Sequence, residues 1–133
     1  MYVICVRRWI FSAVDIGPVV NPEGARMQCE GGLTMGLGYT LAEELRFKGG
    51  DILDRNFDTY QLPRFSWVPP IEIVLVKNDS IEPQGCGELS ITTAGGSIAN
   101  AVYDATGVRM TRLPMAPERV LEALKAKGQP TPA

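Results

Sequence analysis

The sequence predicts an α+β fold, with a mixed, mostly antiparallel sheet packed with about three helices. Three observations support this class. Leucines recur every fourth residue after a helix-start signal, two later segments have helical spacing, and about four β-rich segments lie between them without strict βαβ order. The 133 residues suffice for one domain with its own core. We expect that single domain to span residues 1–126 and a disordered tail to span residues 127–133.

The first helix has the clearest start signal. In Asn21-Pro22-Glu23 the asparagine can cap, proline suits the first helical position, and the acid favours the positive end of the helix dipole. We expect the helix to run towards Arg46. Its apolar stripe, expected to face a core, consists of Leu33, Leu37, Leu41 and Leu45.

The same helical segment is rich in glycine, and each interior glycine costs about 1 kcal/mol relative to alanine. We therefore expect the backbone to approach another element or a ligand closely there. The glycines are Gly24, Gly31, Gly32, Gly36 and Gly38.

Two more helices and the β-rich segments complete the prediction. A second helix follows Thr93 and ends at Gly107, and a third begins at Ala116-Pro117-Glu118. The inward residues of the third helix should be Val120, Leu121 and Leu124. We expect one strand over residues 3–14 and a short strand within residues 52–60. Apolar residues on both faces of residues 71–77 predict a central, doubly buried strand.

Composition excludes several functional classes. The formal charge of −2, with both signs mixed along the chain, indicates neither nucleic acid nor an anionic membrane surface as a partner. Apolar runs are too short to span a bilayer, so we expect a soluble chain. Because the sequence has no histidine, His-based metal sites and Ser-His or Cys-His nucleophiles are excluded. Carboxylates or a bound cofactor must carry any chemistry.

The three cysteines suggest neither a disulfide framework nor a zinc site. Cys5, Cys29 and Cys86 are odd in number, widely spaced and form no Cys-x-x-Cys pair. A nucleophilic Cys86 would need a nearby cation or helix N-terminus, so we interpret it as a structural thiol. We therefore expect no metal ligands in this chain.

The loop Gly85-Cys86-Gly87-Glu88 is the most informative segment. Its two glycines allow the backbone to pass close to a bulky group while a carboxylate is held just beyond them. On spacing alone, Glu88 fits either a solvated surface turn or a general base. The role of Gln28 is equally open, since its amide suits either an exposed helix face or contact with a cofactor rich in heteroatoms.

Several short blocks of the sequence, taken together in order, are more specific than any one of them. The blocks are Ala13-Val14-Asp15-Ile16-Gly17, Val20-Asn21-Pro22, Gln28-Cys29-Glu30-Gly31-Gly32, Met35-Gly36-Leu37-Gly38, Glu43-Glu44, Tyr60-Gln61-Leu62-Pro63, Pro70-Ile71-Glu72, Gly85-Cys86-Gly87-Glu88 and Ile98-Ala99-Asn100-Ala101. In this order they resemble the C-terminal part of the molybdopterin-binding large subunits of the xanthine dehydrogenase and aldehyde oxidase family. The resemblance extends from about Arg8 to about Leu124 and includes features of bacterial isoquinoline 1-oxidoreductase beta subunits and aldehyde dehydrogenase large subunits.

This resemblance implies an oxidoreductase that hydroxylates aldehydes or N-heteroaromatic compounds with water-derived oxygen. It implies that Glu88 is the base for a molybdenum-bound hydroxide, that Gln28 contacts the pterin, and that Gly85 and Gly87 permit close approach. The implied cofactor is molybdopterin with molybdenum, in the cytosine dinucleotide form. Leu89-Ser90 departs from the proline or alanine of many members, which concerns the substrate-side wall rather than the carboxylate.

The family's large subunits are several times longer than this chain, which implies that the chain is a fragment. We therefore expect it to be inactive and without cofactor by itself. The resemblance implies as partners the rest of the large subunit, an iron-sulfur subunit, possibly a flavin or cytochrome subunit, and a small-molecule substrate. The parent would be cytoplasmic or periplasmic. The alternative is a non-catalytic α+β interaction domain, in which the glycines serve packing alone.

Overall fold

A computed structural model of the chain describes residues 2–6 and 9–128, the first five as backbone. Within this part, two helices cover one face of a three-stranded sheet and a third helix borders the end of the first. The core between sheet and helices is built mainly from Ile10, Val14, Ile16, Cys29, Leu33, Leu37, Ile73, Ala94 and Ile98. The predicted α+β class with a mixed sheet is confirmed.

The sheet combines antiparallel and parallel pairing. Strands β1 (Tyr2–Val6) and β2 (Trp9–Val14) are antiparallel, and β2 is parallel to a strand later in the chain, Ile71–Leu75. The expectation of a single strand over residues 3–14 is wrong. The segment instead forms two strands, in whose antiparallel pairing Val6 lies opposite Trp9.

The strand at Ile71–Leu75 lies at an edge of the described sheet, whose order is β1, β2 and then this strand. The prediction that it is central and buried on both faces is therefore wrong. Ile73 points into the core, but Val74 is 52% exposed because the helices cover only one face of the sheet. The central strand is β2, in which Ile10 and Val14 are buried.

Helix α1 (Pro22–Leu41) begins as predicted. The Asn21 side chain accepts a hydrogen bond from the backbone N–H of Gly24, and Pro22 occupies the first turn. The helix ends earlier than the predicted Arg46, because the N–H groups of Ala42 and Glu43 both donate to the carbonyl of Gly38.

The early end of α1 divides the leucine stripe. Leu33 and Leu37 are buried and Leu41 is half-buried, as a core-facing stripe requires. Leu45, four residues beyond the last helical residue, is 51% exposed. The stripe therefore faces the core only as far as the helix extends.

Two short strands follow α1. Strands β3 (Phe47–Lys48) and β4 (Asp51–Ile52) form an antiparallel ribbon around Gly49 and Gly50, both of which have positive φ. The strand predicted within residues 52–60 is limited to its first residue. The chain then turns so that Asp54 returns to the end of α1.

The carboxylate of Asp54 joins this ribbon to the residues after α1. It accepts a 2.6 Å hydrogen bond from the backbone N–H of Arg46 and lies 2.5 Å from the guanidinium of the same residue. These hydrogen bonds, chiefly that to the Arg46 side chain, lower the pKa of Asp54 to about 2. Arg46 is thus held by both its backbone and its side chain in the segment that follows the helix.

We expect this pair to lose its contribution to stability in acid. Because the pKa of Asp54 is lower in the folded chain, the contribution is present above the unfolded value of 3.8 and is lost as pH falls towards about 2. Unfolding of the wild-type chain and of Asp54→Asn should be followed between pH 6 and pH 2. The stability difference between them should shrink over that lower range, and a constant difference would contradict the assignment.

Helix α2 (Ile91–Thr106) packs across α1. It ends at Gly107, which adopts the left-handed conformation with φ of 66°, as predicted for a C-terminal glycine. Gly36 faces Ala94, and Gly32 faces Ser90 immediately before α2. Neither glycine has room for a Cβ. The close approach expected of the α1 backbone is therefore made, at these two positions, to the start of α2 rather than to a ligand.

Substitution of Gly36 should distinguish close packing from helix propensity. Gly36→Ala should destabilise the chain by about 1–3 kcal/mol, because the added methyl would collide with Ala94. Gly31→Ala is the matched control on the same helix. An added Cβ there meets no atom within 4 Å, so helix propensity should make it neutral or stabilising by up to about 1 kcal/mol. Urea unfolding would measure both, and equal effects would argue against the close contact.

The last helix, α3 (Pro117–Ala126), starts at the predicted proline. Its apolar residues are half-buried rather than part of the core, and they line a groove with Leu41, Trp67 and Met115. The apolar residues of α3 in this groove are Val120, Leu121 and Leu124. Arg119 joins α3 to the segment that follows α1 through a 2.6 Å ion pair with Glu44.

The single domain expected over residues 1–126 and the disordered tail expected over residues 127–133 stay predictions, since most of that tail, residues 129–133, lies outside the described residues. Among the helices described, none is both long and apolar enough to cross a membrane.

Candidate functional site

The segment between the Ile71–Leu75 strand, β5, and α2 carries the predicted site. It leaves the sheet alongside the end of β2, where the N–H of Val76 donates to the carbonyl of Val14 at 2.8 Å. Further along, the N–H of Gln84 donates to the carbonyl of Ile16, also at 2.8 Å. The segment is thus attached to the end of β2 before it reaches Gly85.

A carboxylate just beyond β2 strengthens this attachment. Asp15 accepts hydrogen bonds from the Asn78 side chain at 2.8 Å and from the Gly17 N–H at 3.1 Å. These two bonds, that from Asn78 first, lower the pKa of Asp15. Gly17 has φ of 71°, and a Cβ there would lie 2.8 Å from the Glu82 carbonyl oxygen. The close passage of the Glu82 backbone over residue 17 therefore requires glycine at that position. Sequence reasoning did not identify Asp15 as an anchor.

Gln28 and the Gly85–Glu88 loop come together in the structure. The side-chain amide nitrogen of Gln28, on the exposed face of α1, lies 2.5 Å from the carbonyl oxygen of Gly87 and donates to it. The two residues are 59 positions apart in sequence. The sequence-predicted residues Gln28, Gly85, Gly87 and Glu88 therefore form one continuous surface.

The adjacent residues make a second contact between the same elements. The sulfur atoms of Cys29 and Cys86 lie 3.6 Å apart, and the Cys86 thiol also lies 3.7 Å from the carbonyl oxygen of Ala25. Cys29 is fully buried, and this burial, together with Cys86, raises its pKa to about 11. The spacing of the cysteines gave no signal of this contact.

Glu88 is exposed. Its carboxylate has no hydrogen bond or ion pair with any residue that the structure describes. On one side Gly87 is held by Gln28, and on the other the buried Ser90 lies against Gly32. The backbone around Glu88 is therefore fixed while its carboxylate remains free to accept a proton or a hydrogen bond.

The glycines near Glu88 leave room for a bound group. A Cβ added to Gly85, Gly87 or Gly31 would meet no described atom within 4 Å. Gln28 uses one amide hydrogen on Gly87, and its carbonyl oxygen is not engaged by any described residue. An open surface with a free amide oxygen and a free carboxylate fits a polar ligand rich in hydrogen-bonding atoms. In the described part of the chain, no three potential metal-ligating side chains cluster.

The two thiols should differ in reactivity. The thiolate is the reactive form, and with a pKa of about 11 roughly one Cys29 side chain in a thousand is ionised at pH 8. Cys86 is only half-buried. Iodoacetamide should therefore modify Cys86 at least about tenfold faster than Cys29, as followed by mass spectrometry of the peptides. Faster labelling of Cys29 would contradict both its burial and its raised pKa.

Comparison with known proteins identifies the family of the chain. The chain matches the molybdopterin cofactor-binding domain family over residues 4–69, about half its length. It is 40% identical over 120 residues to a probable xanthine dehydrogenase subunit of Bacillus subtilis, covering 87% of this chain and 16% of that protein. It is 35% identical over 119 residues to the isoquinoline 1-oxidoreductase subunit beta of Brevundimonas diminuta, covering 90% of this chain and 15% of that protein.

Solved structures give the same result. Quinoline 2-oxidoreductase from Pseudomonas putida 86 superposes with a TM-score of 0.80 and 25% identity, over 89% of this chain and 16% of that one. The chain belongs to the family of molybdopterin-binding large subunits of xanthine dehydrogenase and aldehyde oxidoreductase, of which it matches one part. It spans about a sixth of the length of these relatives.

Proposed function

We propose that this chain supplies the proton-accepting carboxylate of a molybdenum hydroxylase that oxidises an aldehyde or an N-heteroaromatic compound with water-derived oxygen. The observation that carries the proposal is the hydrogen bond from Gln28 to Gly87, because it places the amide and the carboxylate loop on one exposed surface. The substrate class is supported by relatives whose names specify isoquinoline and quinoline.

The proposed cofactor is molybdopterin with molybdenum, in the cytosine dinucleotide form, bound in the full-length protein. Gln28 would contact pterin heteroatoms through its free carbonyl oxygen and remaining amide hydrogen. Gly85 and Gly87 would let the pterin approach the backbone, since no side chain fills that space. When bound, the metal centre supplies oxygen transfer and accepts the electrons. We assign it no protein ligand from this chain.

Glu88 acts as the general base in this proposal. A base must reach the proton it takes and have an oxygen free to accept it. The carboxylate of Glu88 meets the second requirement, being exposed and without a partner among the described residues. Its oxygen takes the proton from the water-derived nucleophile, while the anchors at Gly87 and Ser90 hold the backbone in place.

The isolated chain is proposed to be inactive and to bind the cofactor weakly. Gln28 and the Gly85–Glu88 loop offer few polar groups, and a cofactor of this size needs hydrogen bonds on many sides. The chain spans 16% of its Bacillus relative, so in a protein of that length most contacts would come from other segments.

The rest of the large subunit is the first proposed partner. Phe47, Phe57 and Phe65 are each more than 70% exposed, which is unusual for a surface that faces water alone. Electron export would use an iron-sulfur subunit and a flavin or cytochrome subunit. Subunit designations among the relatives support such a complex.

Removing the carboxylate of Glu88 tests the proposed base. Glu88→Gln in the full-length protein keeps the size and polarity of the side chain but removes its ability to take a proton. We expect kcat to fall by about 10²–10⁴-fold, with molybdenum content nearly unchanged. Steady-state kinetics with an aldehyde and with isoquinoline, alongside metal analysis, would measure this.

Glu82→Gln is the matched control, since Glu82 is an exposed glutamate on the same segment and is assigned no role in the chemistry. Its kcat should stay within about twofold of wild type. Activity retained in Glu88→Gln would refute the base assignment and favour a non-catalytic interaction role for the domain.

A further inference from the structure

The paired thiols of Cys29 and Cys86 lie outside the proposed reaction. One is fully buried on α1, and the other is half-buried on the loop that precedes α2. Their sulfur atoms are 3.6 Å apart, whereas a disulfide requires about 2.05 Å. The sulfurs must therefore approach by only about 1.5 Å to bond.

We propose that Cys29 and Cys86 form a redox modification site, in which a hydroperoxide such as hydrogen peroxide converts the two thiols to a disulfide. The bond joins α1 to the Gly85–Glu88 loop. This goes beyond the proposed hydroxylase function and does not depend on it, because only the contact between the thiols is required.

The position of each cysteine assigns its part in the reaction. Solvent reaches Cys86 and not Cys29, so the oxidant meets Cys86 first. The Cys86 sulfur attacks one peroxide oxygen and the O–O bond breaks. The products are a sulfenic acid on Cys86 and one molecule of water.

The second step closes the bond. The Cys29 sulfur attacks the sulfur of the sulfenic acid, the S–O bond breaks, and the departing hydroxide leaves as water with the Cys29 proton. In total, each sulfur loses one electron and the peroxide takes both. Two thiols and one peroxide thus give one disulfide and two molecules of water.

The two cysteines already face each other across a fixed contact. Cys29 lies within α1 and in the core, and the loop that carries Cys86 is held on either side, by Gln84 bonded to Ile16 and by Gly87 bonded to Gln28. Bond formation therefore requires the sulfur atoms to close about 1.5 Å within an arrangement that already brings them together.

Peptide mapping of the full-length protein tests the proposal. The reduced protein is treated with hydrogen peroxide, blocked with N-ethylmaleimide and digested with trypsin. Cleavage after Arg26, Arg46, Lys77 and Arg109 separates the two cysteines into peptides 27–46 and 78–109. We expect these peptides to be joined, two hydrogen atoms lighter than their reduced sum, and to separate on treatment with dithiothreitol.

Single substitutions give the matched comparison. Cys29→Ser and Cys86→Ser should each eliminate the joined peptide, whereas Cys5→Ser should leave its yield unchanged. If both thiols are still labelled after peroxide, if Cys86 is oxidised alone to the sulfinic acid, or if either pairs with Cys5, the proposal is wrong. The wild-type map decides the question even where a variant fails to fold.

Discussion

The close approach of α1 to the start of α2 is the constraint on which the rest of the structure depends. Gly32 and Gly36 bring α1 against Ser90 and Ala94 with no space for another side chain. Leu33 of α1 is buried in the core together with residues of the sheet. Because one helix is fixed on both sides, the loop just before α2 is placed against the first half of α1.

The position of Glu88 follows from this arrangement. The loop begins near the end of β2, where the Gln84 N–H donates a hydrogen bond to the Ile16 carbonyl, and it ends at Ser90, which lies against Gly32. Between these points Gln28 binds Gly87. A loop with few backbone hydrogen bonds of its own is thereby held at three points, one just after β2 and two on α1, as precise placement of the proposed base requires.

Local sequence patterns predicted the elements whose causes are local. The start of α1 depends on Asn21 and Pro22, and the end of α2 on Gly107, so both could be read directly. The end of α1 could not, since it rests on the hydrogen bonds of Ala42 and Glu43 to the Gly38 carbonyl, which no local signal in the sequence marks. Similarly, the alternation around Val74 does not reveal that only one face of the sheet is covered.

The candidate site shows the same division. Glu88 was identifiable because the ordered blocks around it resemble a family, although one carboxylate after two glycines is weak on its own. The contact between Cys29 and Cys86 had no local signal, because the residues are 57 positions apart and only the packing of α1 brings them together. Asp15 was missed for the same reason, since its partner Asn78 is 63 positions away.

The hydrogen bond between Gln28 and Gly87 has an evolutionary consequence. In the proposed site this one side chain would both contact the cofactor and hold the backbone beside Glu88, so cofactor affinity and the placement of the carboxylate would share a single residue. A substitution at position 28 alters both properties at once, and its effect is coupled to that of any change in the loop rather than additive with it. Drift at either position is therefore restricted by the other.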